Sequence, residues 1–162
     1  MSAGAEQLDL HTLLRETVVG DLVLTKVPIL APSDTLTDAA DAMCRVSHGS
    51  AIICRDNQLV GIVTERDLLR VAADDEDAFD APIEEIMTSG PQTVTVSAAL
   101  ADAVRLMDQG GYRRLPVVDD HGAPAGVIDV KTVVNFVVEH MPHTVYNQAS
   151  RRQLTVSRRE GA

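Results

Sequence analysis

Slid along itself by 64 residues, the sequence meets its own image. "TLTDAADAM" (35–43) falls on "ALADAVRLM" (99–107), pairing Leu36 with Leu100, Asp38 with Asp102, Ala39 with Ala103 and Met43 with Met107. "SAIIC" (50–54) falls on "RLPVV" (114–118) and, after one inserted residue, "VGIVTERDLL" (60–69) falls on "AGVIDVKTVV" (125–134). Upstream, "GDLVLT" (20–25) falls on "EEIMTS" (84–89). A repeat of this length is one supersecondary unit used twice. A unit of about 55 residues with three short strands can hardly close a core alone, whereas two can bury their sheets against each other. Residues 20–140 are therefore expected to form one two-repeat module rather than two independent domains.

Both copies read alike. A short helical turn (Val18–Val23; Ile83–Met87) leads into a Pro-bearing extended stretch (Val27–Ala31; Pro91–Val96). Ser33 and Ser97 are then the expected N-caps. An amphipathic helix follows, with Leu36, Ala39, Ala40 and Met43 matched by Leu100, Ala103, Val104 and Met107 at i, i+3, i+4 and i+7. Two short apolar strands come next, Ala51–Cys54 and Leu59–Val63 around "RDNQ", then Leu115–Val118 and Ala125–Ile128 around "DDHGAP". A last helix starts near Glu65 or Val130. Leu8–Val19 reads as an extra N-terminal helix. The organisation expected is 1–17 as an extension, 18–73 and 82–141 as the repeats, 74–81 as an acidic linker, and 142–162 as a polar, Arg-rich tail.

The 162 residues carry a formal charge of −10, which argues against a general nucleic-acid binder, because phosphate backbones need a basic face. The acidity is local. Residues 74–85 hold seven carboxylates and no base, which fits a solvated linker, while 151–162 hold four Arg and one Glu. With only four aromatic residues (Phe79, Phe136, Tyr112, Tyr146), the core must be Val, Ile, Leu, Ala and Met. Cys44 and Cys54 form no CxxC and sit among apolar residues, so both are expected to be reduced and buried. No secretory signal pattern or membrane-length apolar run is present, and a soluble cytoplasmic protein is expected.

With helix, strand, strand and helix in this order, "GIVTERDLL" closing copy one and "YRRLPVVDD…GVIDVKTVV" closing copy two, residues 18–140 resemble a tandem pair of CBS domains, a Bateman module. "VGIVTERDL" is similar to the family's Gly-x-[Ile/Val]-x-[Thr/Ser]-x-x-Asp ending, and "RRLPVVD" to its phosphate-side strand. The resemblance implies an α/β (α+β) fold. Each repeat would be a small three-stranded sheet with flanking helices, and the two would pack with pseudo-twofold symmetry. It also implies an adenine nucleotide or adenosyl ligand between the repeats.

Such a ligand makes three demands: a carboxylate for the ribose diol, fixed cations for phosphate, and an apolar slot for the base. With a helix starting near Glu65, Thr64 is its N-cap and Asp67 lies in its first turn, beside N–H groups that attract an anion. In the resembled family this pair holds ribose and phosphate; a plain capping box needs the same two residues. Pseudo-symmetry places Arg113 and Arg114 of copy two across the cleft, facing a phosphate, with Arg66 as a third cation. The alternative is that the two Arg pair with Asp119, Asp120 or the acidic linker. By resemblance the base slot is Val27 and Pro28 with Ser50, Ala51 and Ile62; core packing is the alternative for each.

The mirror cleft differs. Asp129 replaces Thr64, Thr132 replaces Asp67, and Gly49 and Ser50 stand where the Arg pair is needed. A carboxylate near the phosphate repels it, so one competent site per chain is expected; Arg45 and His48 can restore some affinity to the second, with simple exposure on the helix as the alternative for both. The reading is a regulatory module for AMP, ADP or ATP, with S-adenosylmethionine and NAD as alternatives and no cofactor required. It would signal to an unidentified protein partner or through its own homodimer, whose interface would use the helices at 36–46 and 100–108. A protein-interaction module without nucleotide binding is the alternative. An enzyme is the lesser one: His11, His48, His121, His140 and His143 show no ligand or triad spacing, and no metal site is expected.

Overall fold

The computed structural model describes residues 9–74 and 76–141, without the side chains of 76 and 77. Helix α1 (Leu10–Glu16) comes first. It is shorter than the helix expected over 8–19, because Thr17 turns extended and Val19–Asp21 form a separate 3-10 turn; residue 8 lies outside the described residues. Repeat one comprises β1 (Ile29–Leu30), α2 (Leu36–Val46), β2 (Ser50–Arg55), β3 (Gln58–Thr64) and α3 (Glu65–Asp74). Then come 3-10 turns at Glu76–Asp80 and Ile83–Glu85 and strand β4 (Thr88–Ser89). Repeat two comprises β5 (Val94–Thr95), α4 (Leu100–Gly110), β6 (Arg114–Val118), β7 (Pro124–Asp129) and α5 (Val130–His140). In each repeat a short parallel strand joins an antiparallel hairpin, giving sheets ordered β1-β2-β3-β4 and β5-β6-β7. The first hairpin turns on Asp56 and Asn57, both at positive φ, the backbone that two-residue hairpin loops require and that Asp and Asn tolerate.

Helices α2 and α4 send Leu36, Ala39, Met43 and Leu100, Ala103, Met107 into the two cores. The faces turned into the cores are thus covered, while Val46 at the end of α2 is 50% exposed. The N-caps are corrected. Thr35, not Ser33, caps α2: its Oγ1 accepts the Asp38 N–H at 3.1 Å, and the Asp38 carboxylate accepts the Thr35 N–H at 2.9 Å. Thr-x-x-Asp closes this reciprocal box, which Ser33 cannot, with Leu36 three residues on. The Thr35 N–H first, and then the Thr35 hydroxyl, which donates to the same carboxylate at 2.8 Å, hold the Asp38 carboxyl below its ordinary range. Ala99 caps α4 without a side-chain bond, and the Ser97 hydroxyl meets Thr95 Oγ1 at 3.1 Å instead.

The repeats exchange their leading segments. Val19 and Leu22 lie in the core of repeat two with Leu100, Leu115, Val117 and Ile128. Ile83 lies in the core of repeat one with Leu36, Ile53 and Val63, and Ile86 and Met87 pack on it. The hydrogen bonds follow the same symmetry. Leu36, Ile83 and Glu84 N–H groups donate to Ala81, Asp34 and Pro32 carbonyls at 3.3, 2.8 and 3.0 Å. Leu100, Val19 and Gly20 donate to Thr17, Ala98 and Val96 at 2.8, 2.9 and 2.8 Å. Accordingly β4 pairs with β3 as a fourth strand of the first sheet, and Thr25 bridges to Val127 beside the second.

Within the acidic stretch, the Glu76–Asp80 turn packs against α2 and α3, with Phe79 on the core of repeat one. The cysteines depart from expectation. Cys44 is exposed on the outer face of α2, because the core face belongs to Ala39 and Met43; Cys54 is half-buried, and burial pushes its thiol pKa up.

Candidate functional site

Helix α3 starts at Glu65, as the sequence implies. One oxygen of Asp67, Oδ2, accepts the Thr64 N–H at 2.9 Å and the Thr64 hydroxyl at 2.7 Å. This is the return half of a capping box, the N3 carboxylate reaching back to the N-cap residue. Yet it occupies only half of the carboxylate. Oδ1 has Arg70 Nη1 at 3.9 Å, and a carboxylate oxygen has room for two donors. The Asp67 side chain is 13% exposed, so this oxygen is held in place by packing and by the cap together.

The second repeat reaches this corner through Arg114. Its Nη1 donates to the Gly49 carbonyl of repeat one at 3.4 Å. The same carbonyl accepts the Glu65 N–H, the first of α3, at 3.1 Å. The start of β6 thus lies against the start of α3, and a guanidinium stands beside a helix N-terminus, both favourable to an anion. Gly49 is what permits the approach: a Cβ there would overlap the Glu65 carboxylate. Arg113 precedes the strand; its carbonyl accepts the Val130 N–H at 3.1 Å, the symmetric counterpart of the Gly49 bond. Its side chain is exposed, and so is that of Arg66. Among the described residues, neither Arg113 nor Arg114 forms an ion pair with Asp119, Asp120 or any other carboxylate. Asp119 is spent on its own turn, accepting the His121 and Ala123 N–H groups at 2.9 Å each. Those bonds, Ala123 first, hold its carboxyl below the ordinary range.

The slot residues fall into two groups. Val27, Pro28 and Ile62 are half-buried at the lip of the first sheet, where the Pro28 carbonyl accepts the Ile52 N–H at 2.9 Å. Ser50 and Ala51 have no exposed surface; Ala51 belongs to the core of repeat one, and the Ser50 hydroxyl lies 3.2 Å from His48 Nδ1. Gly49 and Glu65 were missed by sequence reasoning as members of this corner. The signal for Gly49 was its match to Arg113 in the repeat; nothing in the sequence marked Glu65.

The mirror corner is the same bond turned around. Asp129 caps α5, its Oδ1 accepting the Thr132 N–H at 2.7 Å and the Thr132 hydroxyl at 3.0 Å. The carboxylate therefore sits before the helix rather than inside its first turn. Among the described residues, no cluster of His, Cys, Asp and Glu gathers to hold a metal ion, and no helix is long and apolar enough to cross a membrane.

Comparison with known proteins places this arrangement. A family model described as "CBS domain" matches twice, over residues 19–74 and 83–139. An uncharacterized 17.7 kDa protein of Acidianus ambivalens is 30% identical over 124 residues, which cover 76% of this chain and 74% of that protein. CBS domain-containing protein CBSCBSPB3 of Arabidopsis thaliana is 31% identical over 70% of this chain, but the match spans only 21% of that longer protein. Among solved structures, CBSX2 in complex with AMP superposes with a TM-score of 0.67 at 29% identity, over 75% of this chain and 96% of that one. The CBS domain pair of MJ0100, in complex with 5-methylthioadenosine and S-adenosyl-L-methionine, gives 0.66 at 26% identity, over 76% and 98%.

Proposed function

Because the chain belongs to the CBS-domain family and carries the repeat twice in tandem, we propose that it is a regulatory module that senses an adenine nucleotide in the cleft between its repeats. The observation that carries this reading is the shared carbonyl of Gly49, which receives the Arg114 guanidinium of one repeat and the first N–H of α3 in the other. It brings a cation, a helix N-terminus and Asp67 to one mouth. In this reading Asp67 Oδ1 accepts the ribose hydroxyls. Arg114 holds the phosphate, with Arg113 and Arg66 free to swing in from the surface, and Val27, Pro28 and Ile62 flank the base. The AMP bound to CBSX2 and the adenosyl ligands bound to the MJ0100 pair support an adenosyl group. The arginines favour a phosphate over a sulfonium, whose positive charge they repel.

Isothermal titration of AMP and adenosine tests the clamp. Arg114→Ala should weaken AMP by about 1.5–3 kcal/mol, the worth of a charge-assisted hydrogen bond, and leave adenosine nearly unchanged. Lys at 114 should restore only part, because it cannot fork. Equal losses for both ligands would remove the clamp from the reading.

The output is a change passed to a protein partner or to a second copy. Leu69 on α3 is 71% exposed, and Val130, Val134 and Val138 line one side of α5 at 44%, 51% and 37%. A homodimer over these faces would cover apolar surface that single repeats leave open. Light scattering at micromolar concentration should report twice 17.4 kDa; a monomer there would sink the dimer.

A further inference from the structure

The corner that joins the repeats holds a second carboxylate, which the three demands of a nucleotide do not explain. Glu65 is the first residue of α3, and its N–H donates to the Gly49 carbonyl at 3.1 Å. Its side chain doubles back over the same residue: a Cβ on Gly49 would run into Cδ and both carboxylate oxygens of Glu65. Arg114 Nη1 donates to that same Gly49 carbonyl. One residue thus carries the guanidinium on its carbonyl and a carboxylate against its Cα. Among the described residues Glu65 forms no ion pair, with Arg114 or with any other cation. Repeat two builds the position differently. Val130 starts α5, and its N–H is held by the carbonyl of Arg113, a residue with a long side chain where repeat one has none. Glycine and glutamate go together in one corner, arginine and valine in the other. The helix start does not explain the glutamate, because Asp67 already supplies a carboxylate to the first turn of α3.

We propose that Glu65 limits the number of phosphates this corner accepts, so that the ligand is a nucleoside monophosphate rather than a di- or triphosphate. The proposal rests on the nucleotide reading above, in which Arg114 holds the phosphate. A group bound to that guanidinium lies about one residue's width from the Glu65 carboxylate, and like charges at such range repel. The repulsion grows with the charge of the ligand, whichever way its phosphate chain runs. Adenosine does not feel it. A monophosphate is offset by Arg114 and the helix end. Each further phosphate adds negative charge to a mouth that already holds Asp67 and Glu65.

Isothermal titration of adenosine, AMP and ATP, with EDTA present, tests this on the full chain and on Glu65→Gln and Glu65→Lys. The unchanged protein should bind AMP at least ~10-fold more tightly than ATP, the scale of one like-charge contact. Glu65→Gln should tighten ATP at least ~10-fold and move adenosine less than ~2-fold, and Glu65→Lys should invert the order of AMP and ATP. An AMP-to-ATP ratio that is the same in all three proteins would overturn the proposal and leave the nucleotide reading standing, since a carboxylate that serves only the helix start moves the ligands together. Weaker ATP binding by Glu65→Gln than by the unchanged protein when Mg²⁺ replaces EDTA would also overturn it, because Glu65 would then hold a metal-bound triphosphate. No binding of adenosine, AMP or ATP by any of the three proteins would overturn the nucleotide reading itself, and the proposal with it.

Discussion

Ile83→Ala is expected to destabilise the protein by about 2–5 kcal/mol, the range for truncating a fully buried Ile whose site collapses only in part. The particular interest is where the damage should appear. Ile83 precedes the strands and helices of repeat two, yet its side chain fills the core of repeat one between Leu36, Ile53 and Val63. Denaturant titration measures the loss. Hydrogen exchange locates it: amides of β2 and β3 should lose protection before those of β6 and β7. Val19→Ala, its symmetric partner in the other core, should reverse that order with a smaller loss. A cost below about 1 kcal/mol for Ile83→Ala, or protection lost first in repeat two, would contradict the exchange.

Asp67→Ala should weaken adenosine and AMP alike, by about 1.5–3 kcal/mol, or roughly 10- to 150-fold, because the ribose is common to both. Thr132→Ala, at the equivalent position of repeat two, should leave both affinities nearly unchanged. Asp67 also closes the Thr64 cap, so its removal carries a stability loss of about 0.5–2 kcal/mol as well. Thr64→Ala separates the two effects. It removes the hydroxyl that Asp67 accepts but keeps the carboxylate, and should lower stability more than affinity. Matching losses of affinity from Asp67→Ala and Thr132→Ala would show that the two corners are equivalent after all.

Much of this was legible in the sequence because a repeat supplies its own alignment. The helix starts at Glu65 and Val130, the hairpins, and the mismatch between Thr64/Asp67 and Asp129/Thr132 all follow from sliding the chain by 64 residues. What sliding shows is which residues are equivalent, not which ones touch. The exchange of the Val19 and Ile83 segments was invisible for that reason: either core could have taken either segment without altering one residue of the pattern. The apolar neighbours Met43 and Val46 point to an inside place for Cys44, but in a helix the neighbours that share a face stand three and four residues away. Serine is a strong cap taken alone, which points to Ser33, but the reciprocal bond between Thr35 and Asp38 outweighs it. At the candidate site, the side chains of Thr64, Asp67 and Arg114 were legible. The carbonyl of Gly49 that joins them was not, since backbone groups leave no trace in a residue pattern.

The inverted cap at Asp129 bears on how steeply such a sensor can respond. With one competent cleft, occupancy follows a simple hyperbola, and moving from one-tenth to nine-tenths saturation takes roughly an eighty-fold rise in ligand. Two matched clefts sharing one rigid pair of sheets would have allowed coupling within the chain and a narrower range. In the proposed reading with one competent cleft, the second corner keeps the hydrogen bond that starts its helix and the module would act as a graded gauge of ligand concentration. Any sharper threshold has to come from coupling between chains.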